Sequence, residues 1–444
     1  MSWRRIVVLV ALLAVMGIAI FVVNRGEKQK QENEGKLLSV AAANVTKLEL
    51  QRGDQTFRFV RSDPVWNLEL PLKAKADRVS IENILDDFCA LKYDKVVEKE
   101  AKDVNRYGLD KPEIELRIYE KDPVKPSYAI LIGTKNGMDS SSYARLSTRN
   151  EVVTIPDYKR NYLEKGLFEF RDKKFMEFDT TDVSAMEFTY QNAAFAFQKK
   201  EGEWFMEKPL FSRAVESKVT DILSQTSQLE AKAFTEKADA GKLKEYGFEK
   251  PLLDIGLKLK DKEKRVKVIQ KGETYLAFTP DFDEICEVNK DFADKFVGQA
   301  RDFREKKVAL FSVFEVKEIE FKGGPFSFLL KKNKESKWEL AKGTPAQKLD
   351  EEKVTRLLSS LEELEATDFI DPPVSALSFP YSITIRSESW QRPQELKSVI
   401  IQLSAIKDDL VIAANPSLPY RFKVSKEIID KLPKKLDDLL QSAK

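Results

Sequence analysis

A chain of 444 residues is long enough for about three domains of ordinary size, and its 42% hydrophobic and 33% charged residues provide both a core and a heavily charged surface. Lysine plus arginine number 75 and aspartate plus glutamate 73, with the two signs interleaved, so the basic stripe of a nucleic-acid binder is missing and no nucleic-acid partner is expected. There are no histidines, which excludes Ser-His-Asp and Cys-His catalysis, HExxH zinc sites and histidine proton relays.

In chain order, Arg4 and Arg5 precede an unbroken apolar run over 6–23. At about 1.5 Å per residue, such a run just spans a hydrocarbon core. It is longer than the apolar region of a cleaved signal peptide, about 7–15 residues, and NRGE follows it, a poor cleavage site. No cysteine follows to carry a lipid. The sequence therefore predicts an uncleaved signal anchor over 1–23, a single transmembrane helix, and a polar tether over 24–44. Basic residues flank both ends of the run, so charge alone leaves the orientation open. The short basic tail before it resembles an export signal. It points to a single-pass protein of the inner (cytoplasmic) membrane, with the bulk of the chain on the periplasmic, exocytoplasmic side.

Three similar units follow, over 45–178, 179–313 and 314–444. Each opens on a strand-like alternation: VTKLEL at 45–50, VSAMEF at 183–188 and VKEIEF at 316–321. A second strand and a polar turn lead to Trp66, Trp204 or Trp338. Period-two patterning between turns is the mark of a sheet with one buried face. An amphipathic helix comes next, with an apolar stripe at offsets 0, 3, 4, 7 and 10: from Ile81 to Leu91, from Val219 to Leu229 and from Val354 to Leu364. Asp77 and Asp350 stand where they can cap their helices. A turn motif follows in two units, Tyr107-Gly108-Leu-Asp-Lys-Pro112 and Tyr246-Gly247-Phe-Glu-Lys-Pro251, while the third keeps only Phe379-Pro380. Glycine supplies a backbone conformation other residues avoid, and proline stops any helix before the next strand. Further strands and a short terminal helix close each unit. The segments FRDKK at 170–174 and FREKK at 303–307 lead from one unit into the next. The predicted class is α+β: a transmembrane helix followed by three tandem units, each an antiparallel meander sheet with one main amphipathic helix.

Residues that carry chemistry are scarce. Cys89 and Cys286 occupy non-equivalent repeat positions and read as buried free thiols. Asp281, Asp283 and Glu284 form the densest carboxylate cluster near a strand, but the alternating ligands and central glycine of a calcium loop are missing, and the cluster reads as a solvated turn. No phosphate loop, dinucleotide fingerprint or nucleophile elbow occurs. No catalytic, metal or cofactor-binding residue is assigned, and no cofactor. The three tryptophans and the tyrosine–glycine turns recur at equal repeat positions, as packing residues do. Trp390, outside the repeat pattern, is the candidate for contact with a partner.

The sequence around Trp66, Tyr107-Gly108-Leu-Asp-Lys-Pro112 and Ile132-Gly133, with FRDKK and FREKK, resembles a bacterial family, domain of unknown function 4340. The resemblance covers nearly all the chain after the tether, and the third unit departs from it by lacking the tyrosine–glycine pair. It implies a single-span exported protein and, as partners, membrane proteins such as subunits of an ABC transporter of the gliding-motility type. Three functions fit the sequence: an anchored protein-interaction module accessory to such a transport assembly, an envelope polymer hydrolase working through carboxylates, and a purely structural spacer.

Overall fold

The computed structural model describes residues 35–341, 348–372, 377–389 and 392–441, and side chains at 389–394 are not described. The predicted anchor over 1–23, most of the polar tether and Trp390 lie outside the described residues. Among the described residues, no helix is long and apolar enough to cross a membrane. The predicted α+β class is corrected: the described residues are mostly antiparallel sheet, with 26 strands in three large sheets and short helices among them. The sequence pattern under-counted strands because the missing ones, such as Ala74–Lys75 and Ser212–Arg213, are too short to show alternation.

The first sheet contains β1 (Lys47–Arg52), β2 (Gln55–Ser62), β3 (Val65–Leu70), β4 (Ala74–Lys75), β5 (Lys95–Glu98), β6 (Ile114–Tyr119), β7 (Tyr128–Lys135), β8 (Ser141–Leu146) and β9 (Val152–Pro156), in the order β4-β3-β2-β1-β6-β7-β8-β9-β5. The expected single meander is thus two meanders joined through the antiparallel β1–β6 pair, with β5 added at the far edge. The second sheet repeats this order with β10 (Ala185–Tyr190), β11 (Ala193–Lys200), β12 (Glu203–Lys208), β13 (Ser212–Arg213), β14 (Ala233–Lys237), β15 (Leu253–Lys258), β16 (Glu263–Lys271), β17 (Thr274–Thr279) and β18 (Phe282–Val288). The third has β19 (Val316–Gly323), β20 (Phe326–Lys332), β21 (Trp338–Leu340), β22 (Asp368–Ile370), β23 (Tyr381–Ser389), β24 (Arg392–Leu403), β25 (Leu410–Ala414) and β26 (Arg421–Ser425); among the described residues it lacks the counterpart of β4 and β13.

The main helices α1 (Arg78–Phe88), α2 (Glu216–Ser227) and α3 (Glu351–Glu362) each connect one edge of a sheet to the opposite edge. Asp77 and Asp350 cap α1 and α3, their carboxylates accepting from the Ser80 N–H and from the Glu352 and Lys353 N–H groups. The apolar stripe of each helix packs on one sheet face. In the first core Ile81, Ile84 and Phe88 meet Leu48, Leu50, Phe57 and Phe59, the inward half of β1 and β2. The last stripe residues, Leu91, Leu229 and Leu364, lie beyond the helix ends yet are buried. Their carbonyls accept an N–H from an arm that opens each repeat, from Leu37 at 2.8 Å, Phe175 at 3.1 Å and Val308 at 3.1 Å. Leu37 and Leu38, expected within the tether, are therefore part of the first core.

The chain divides into two compact units, Met1–Lys173 with the first sheet and Lys174–Lys444 with the second and third.

Candidate functional site

Trp66, Trp204 and Trp338 each lie buried in a core of their own repeat. The tyrosine–glycine turn lies on the other face of the sheet. In the first repeat Tyr107 and Leu109 pack with Leu131 and Val152, which alternate with the inward Ile130, Ile132 and Val153. In the second, Phe248 packs with Ile269, Leu276 and Ile285, and Tyr246 rests against them. A bulge explains the tyrosine. It shifts the register between Val96 and Glu98 in β5 and, at the same place, between Phe234 and Glu236 in β14. Each bulge delivers a glutamate to the turn: Tyr107 donates to Glu98 at 3.0 Å, and Tyr246 donates to Glu236 at 2.5 Å. Burial, then the bond to Glu98, pushes the Tyr107 hydroxyl above its usual range. The bond to Glu236 does the same for Tyr246. Sequence reasoning missed both glutamates, whose signal is an acid nine or ten positions before the tyrosine.

Gly108 and Gly247 take left-handed backbone, φ +66° and +92°. Gly133 is needed for a different reason: a Cβ there would sit 2.0 Å from the Tyr107 carbonyl oxygen, so the turn lies directly on β7. Pro112 and Pro251 are partly buried just before β6 and β15. In the third repeat Phe379 is half-buried, 6.0 Å from the Arg421 guanidinium, and the Pro380 carbonyl accepts from the Gly324 N–H at 3.3 Å.

FREKK is a strap. Phe303 closes the second core and Val308 opens the third. Arg304 joins the two, burying all but 5% of its side chain. Its guanidinium donates to both carboxylate oxygens of Asp371 and, at 3.1 Å, to the Ser212 hydroxyl. It also lies 3.7 Å from the Phe369 ring centre and 4.9 Å from that of Tyr420. Alongside, the Arg213 N–H donates to the Tyr420 hydroxyl at 3.1 Å, and the Arg213 guanidinium and the Asn415 amide both donate to the Val308 carbonyl at 3.2 Å. A groove of about 550 Å³ opens here, with Lys218, Arg301 and Lys306 set against Asp302, Glu305 and Glu365. Its charges balance, so no single charged ligand is favoured.

The open faces of the central strands differ between repeats. In the first sheet Glu49 accepts from Arg58 at 3.0 Å and from Arg117 at 2.9 Å, and Arg117 also makes a bidentate pair with Glu115 at 2.8 Å. In the third, Arg386 bridges Glu318 and Glu320 at 3.3 Å. In the second, register places Ala196 and Gly256 opposite Glu187, where the first sheet has Arg58 and Arg117 opposite Glu49. Small side chains there leave a trough of about 450 Å³ bordered by Glu187, Arg265, Lys264 and Asp281.

Among the described residues no group of three or more histidine, cysteine, aspartate or glutamate side chains is placed to bind a metal ion. Asp281 is ion-paired with Lys264. Cys89 and Cys286 are buried and not joined in a disulfide, and burial pushes the Cys89 thiol up to about 11.

Fold and motif together define a class, tandem-repeat antiparallel β proteins built around one crossing helix per sheet. The chain belongs to the family described as domain of unknown function (DUF4340), which matches residues 66–251 and 204–380. Both matched segments begin at a repeat tryptophan, Trp66 or Trp204, and end at a turn proline, Pro251 or Pro380. The family's unit thus runs from the middle of one folded repeat into the middle of the next. No curated protein matches the chain. Among solved structures, it is similar to a DnaN sliding clamp (DNA polymerase III subunit beta) from Pseudomonas aeruginosa bound to griselimycin, at 7% identity and a TM-score of 0.17, covering 87% of this chain and 92% of that one. A second, a DNA polymerase sliding clamp from Pseudomonas aeruginosa with ligand, gives 8% identity and a TM-score of 0.15 over 89% and 95%.

Proposed function

We propose that this protein is a protein-interaction module, not an enzyme, acting on the periplasmic, exocytoplasmic side of the inner membrane as an accessory to an ABC-type transport assembly. The observation that carries the reading is the layout of the sheets. Each packs its main helix on one face and leaves the central strands of the other face open, with paired charges or a shallow trough. Such faces present area and charge pattern to another protein, and complementary charge supplies orientation and specificity there. The carboxylates on them are committed to arginine and lysine partners; Glu49 is held below the usual carboxylate range because two guanidinium bonds outweigh its burial. A general acid needs the opposite shift. The apolar run at 6–23 supports a place at the membrane, and confinement there raises the effective concentration toward membrane partners.

The test is crosslinking of the full chain in native membranes, followed by identification of what is joined to it. Recovery of ABC transporter subunits is expected. The reading falls if no membrane protein is recovered and the purified chain hydrolyses an envelope polymer in a way one aspartate or glutamate substitution abolishes.

A further inference from the structure

Strand β24 is twelve residues long and uses its two edges unequally. Toward β23 it is paired over 396–403 and again at Arg392, with a bulge between. Toward β25 only Gln402 and Leu403 are paired, opposite Ala414 and Ala413. β25 ends at Ala414 and the chain turns at once, the Leu418 N–H donating to the Asn415 carbonyl at 2.9 Å. Among the described residues, no strand therefore lies beside 396–401 on that side. The matching overhangs in the other sheets are shorter. In the first, the Ser147 N–H donates to the Ala129 carbonyl at 2.9 Å, near the start of β7. In the second, β16 lacks a β17 partner only over 263–266, where Lys264 is tied to Asp281. Exposure agrees: residues 395–398 are all exposed, Leu396 by 45%.

A free strand edge presents N–H and C=O groups that only another extended chain satisfies along its whole length. This edge is also held in place. Val399 packs against the third core, and Lys397 is ion-paired with Glu203 of the second repeat. Period-two alternation puts Leu396, Ser398 and Ile400 on the opposite face from Lys397 and Val399.

We propose that this edge takes an extended segment of a partner protein as an added β-strand. The inference rests on the reading of the chain as an interaction module and names where and how it binds. Six residues at about 3.3 Å each give an edge of roughly 20 Å, and main-chain hydrogen bonds supply affinity in such additions. The segment it takes carries aliphatic or β-branched residues opposite Leu396 and Ile400, because cross-strand apolar pairs are favourable. A slender segment suits the site better than a second folded copy. The Glu203 contact puts the second repeat beside this strand, and a whole folded body would have to clear it.

The test is amide hydrogen exchange on the full chain with a defined probe, a twelve-residue peptide alternating valine and threonine with a lysine at each end. Slowing of at least tenfold at the outward amides of 396–401, absent with a peptide of the same length interrupted by prolines, is the expected result. Lys397→Pro and Ser398→Pro are made separately, since alternate N–H groups face outward. The variant that keeps the wild-type melting temperature has lost an outward N–H, and it loses the protection. Unchanged exchange rates with the alternating peptide overturn the proposal. So does protection already present in the free chain that disappears on dilution to monomer, which makes a second copy the occupant. If transporter subunits crosslink to that proline variant as well as to wild type, this site is wrong while the interaction reading stands. If the peptide protects the edge but no membrane protein is recovered, the edge stands and the interaction reading falls.

Discussion

Glu49 shows what one buried charge does on an otherwise solvated face. Only 8% of it is exposed. Burial alone would raise its pKa, but the bonds from Arg58 and Arg117 outweigh burial and lower it. A carboxylate whose folded pKa is depressed contributes stability that is present above its unfolded pKa and lost as pH falls through the folded one. Glu49→Gln is therefore expected to cost about 1–2 kcal/mol at pH 7, the range for hydrogen bonds to charged groups discounted for the exposed part of the arginines. It should also flatten the acid side of the stability profile. Urea unfolding from pH 7 down to 3 checks this, and parallel profiles for variant and wild type would remove Glu49 from the account. Cys89 gives a second residue-scale outcome. With its thiol pushed up to about 11 by burial first and by Asp86 next, it should resist iodoacetamide at pH 8 in the folded chain and react once urea unfolds it. The sequence exposed the tyrosines of the turn but not Glu98 and Glu236. A bulge, which no periodicity announces, is what turns those glutamates toward the hydroxyls.

At the scale of elements, the long alternating strands and the three helix stripes were legible because each has one wet and one dry face. The edge strands were not. Ser212–Arg213 is two residues long, and its pairing is imposed by β12 and by the strap beyond it. The helix stripes also ran past the helices: Leu229 and Leu364 keep the apolar spacing but reach the core from the chain that follows, where their carbonyls receive the arm. The tryptophans sit in β3, β12 and β21, inside the first, second and third cores. Trp66→Ala, Trp204→Ala and Trp338→Ala should each cost about 3–5 kcal/mol, the usual loss for truncating a buried aromatic side chain. Chemical denaturation measures it; losses below about 1 kcal/mol at all three, with partner binding reduced, would make them surface contacts instead.

At the scale of the whole molecule, equal repeats do not imply equal independence. The sequence placed seams near Phe178 and Val313, and nothing in it distinguished the two. Lys174–Lys444 nevertheless forms one compact unit containing two sheets, and Arg304 is a large part of the reason. It leaves the second core beside Phe303, stacks on Phe369 and Tyr420, and binds Asp371 with both arms of its guanidinium. Its partner could not be read from the sequence, because Asp371 lies 67 positions away in a segment without periodicity. Breaking a buried pair from one side strands the remaining charge. Asp371 is 34% exposed, so water partly compensates. Asp371→Ala should then cost about 2 kcal/mol, within the range for charge-assisted bonds, and should uncouple the second and third sheets. Thermal unfolding of the wild-type chain is expected to show one transition for these two sheets, and Asp371→Ala a broadened or split one. Separate transitions for them already in the wild type would show that the strap joins the sheets without coupling their stability.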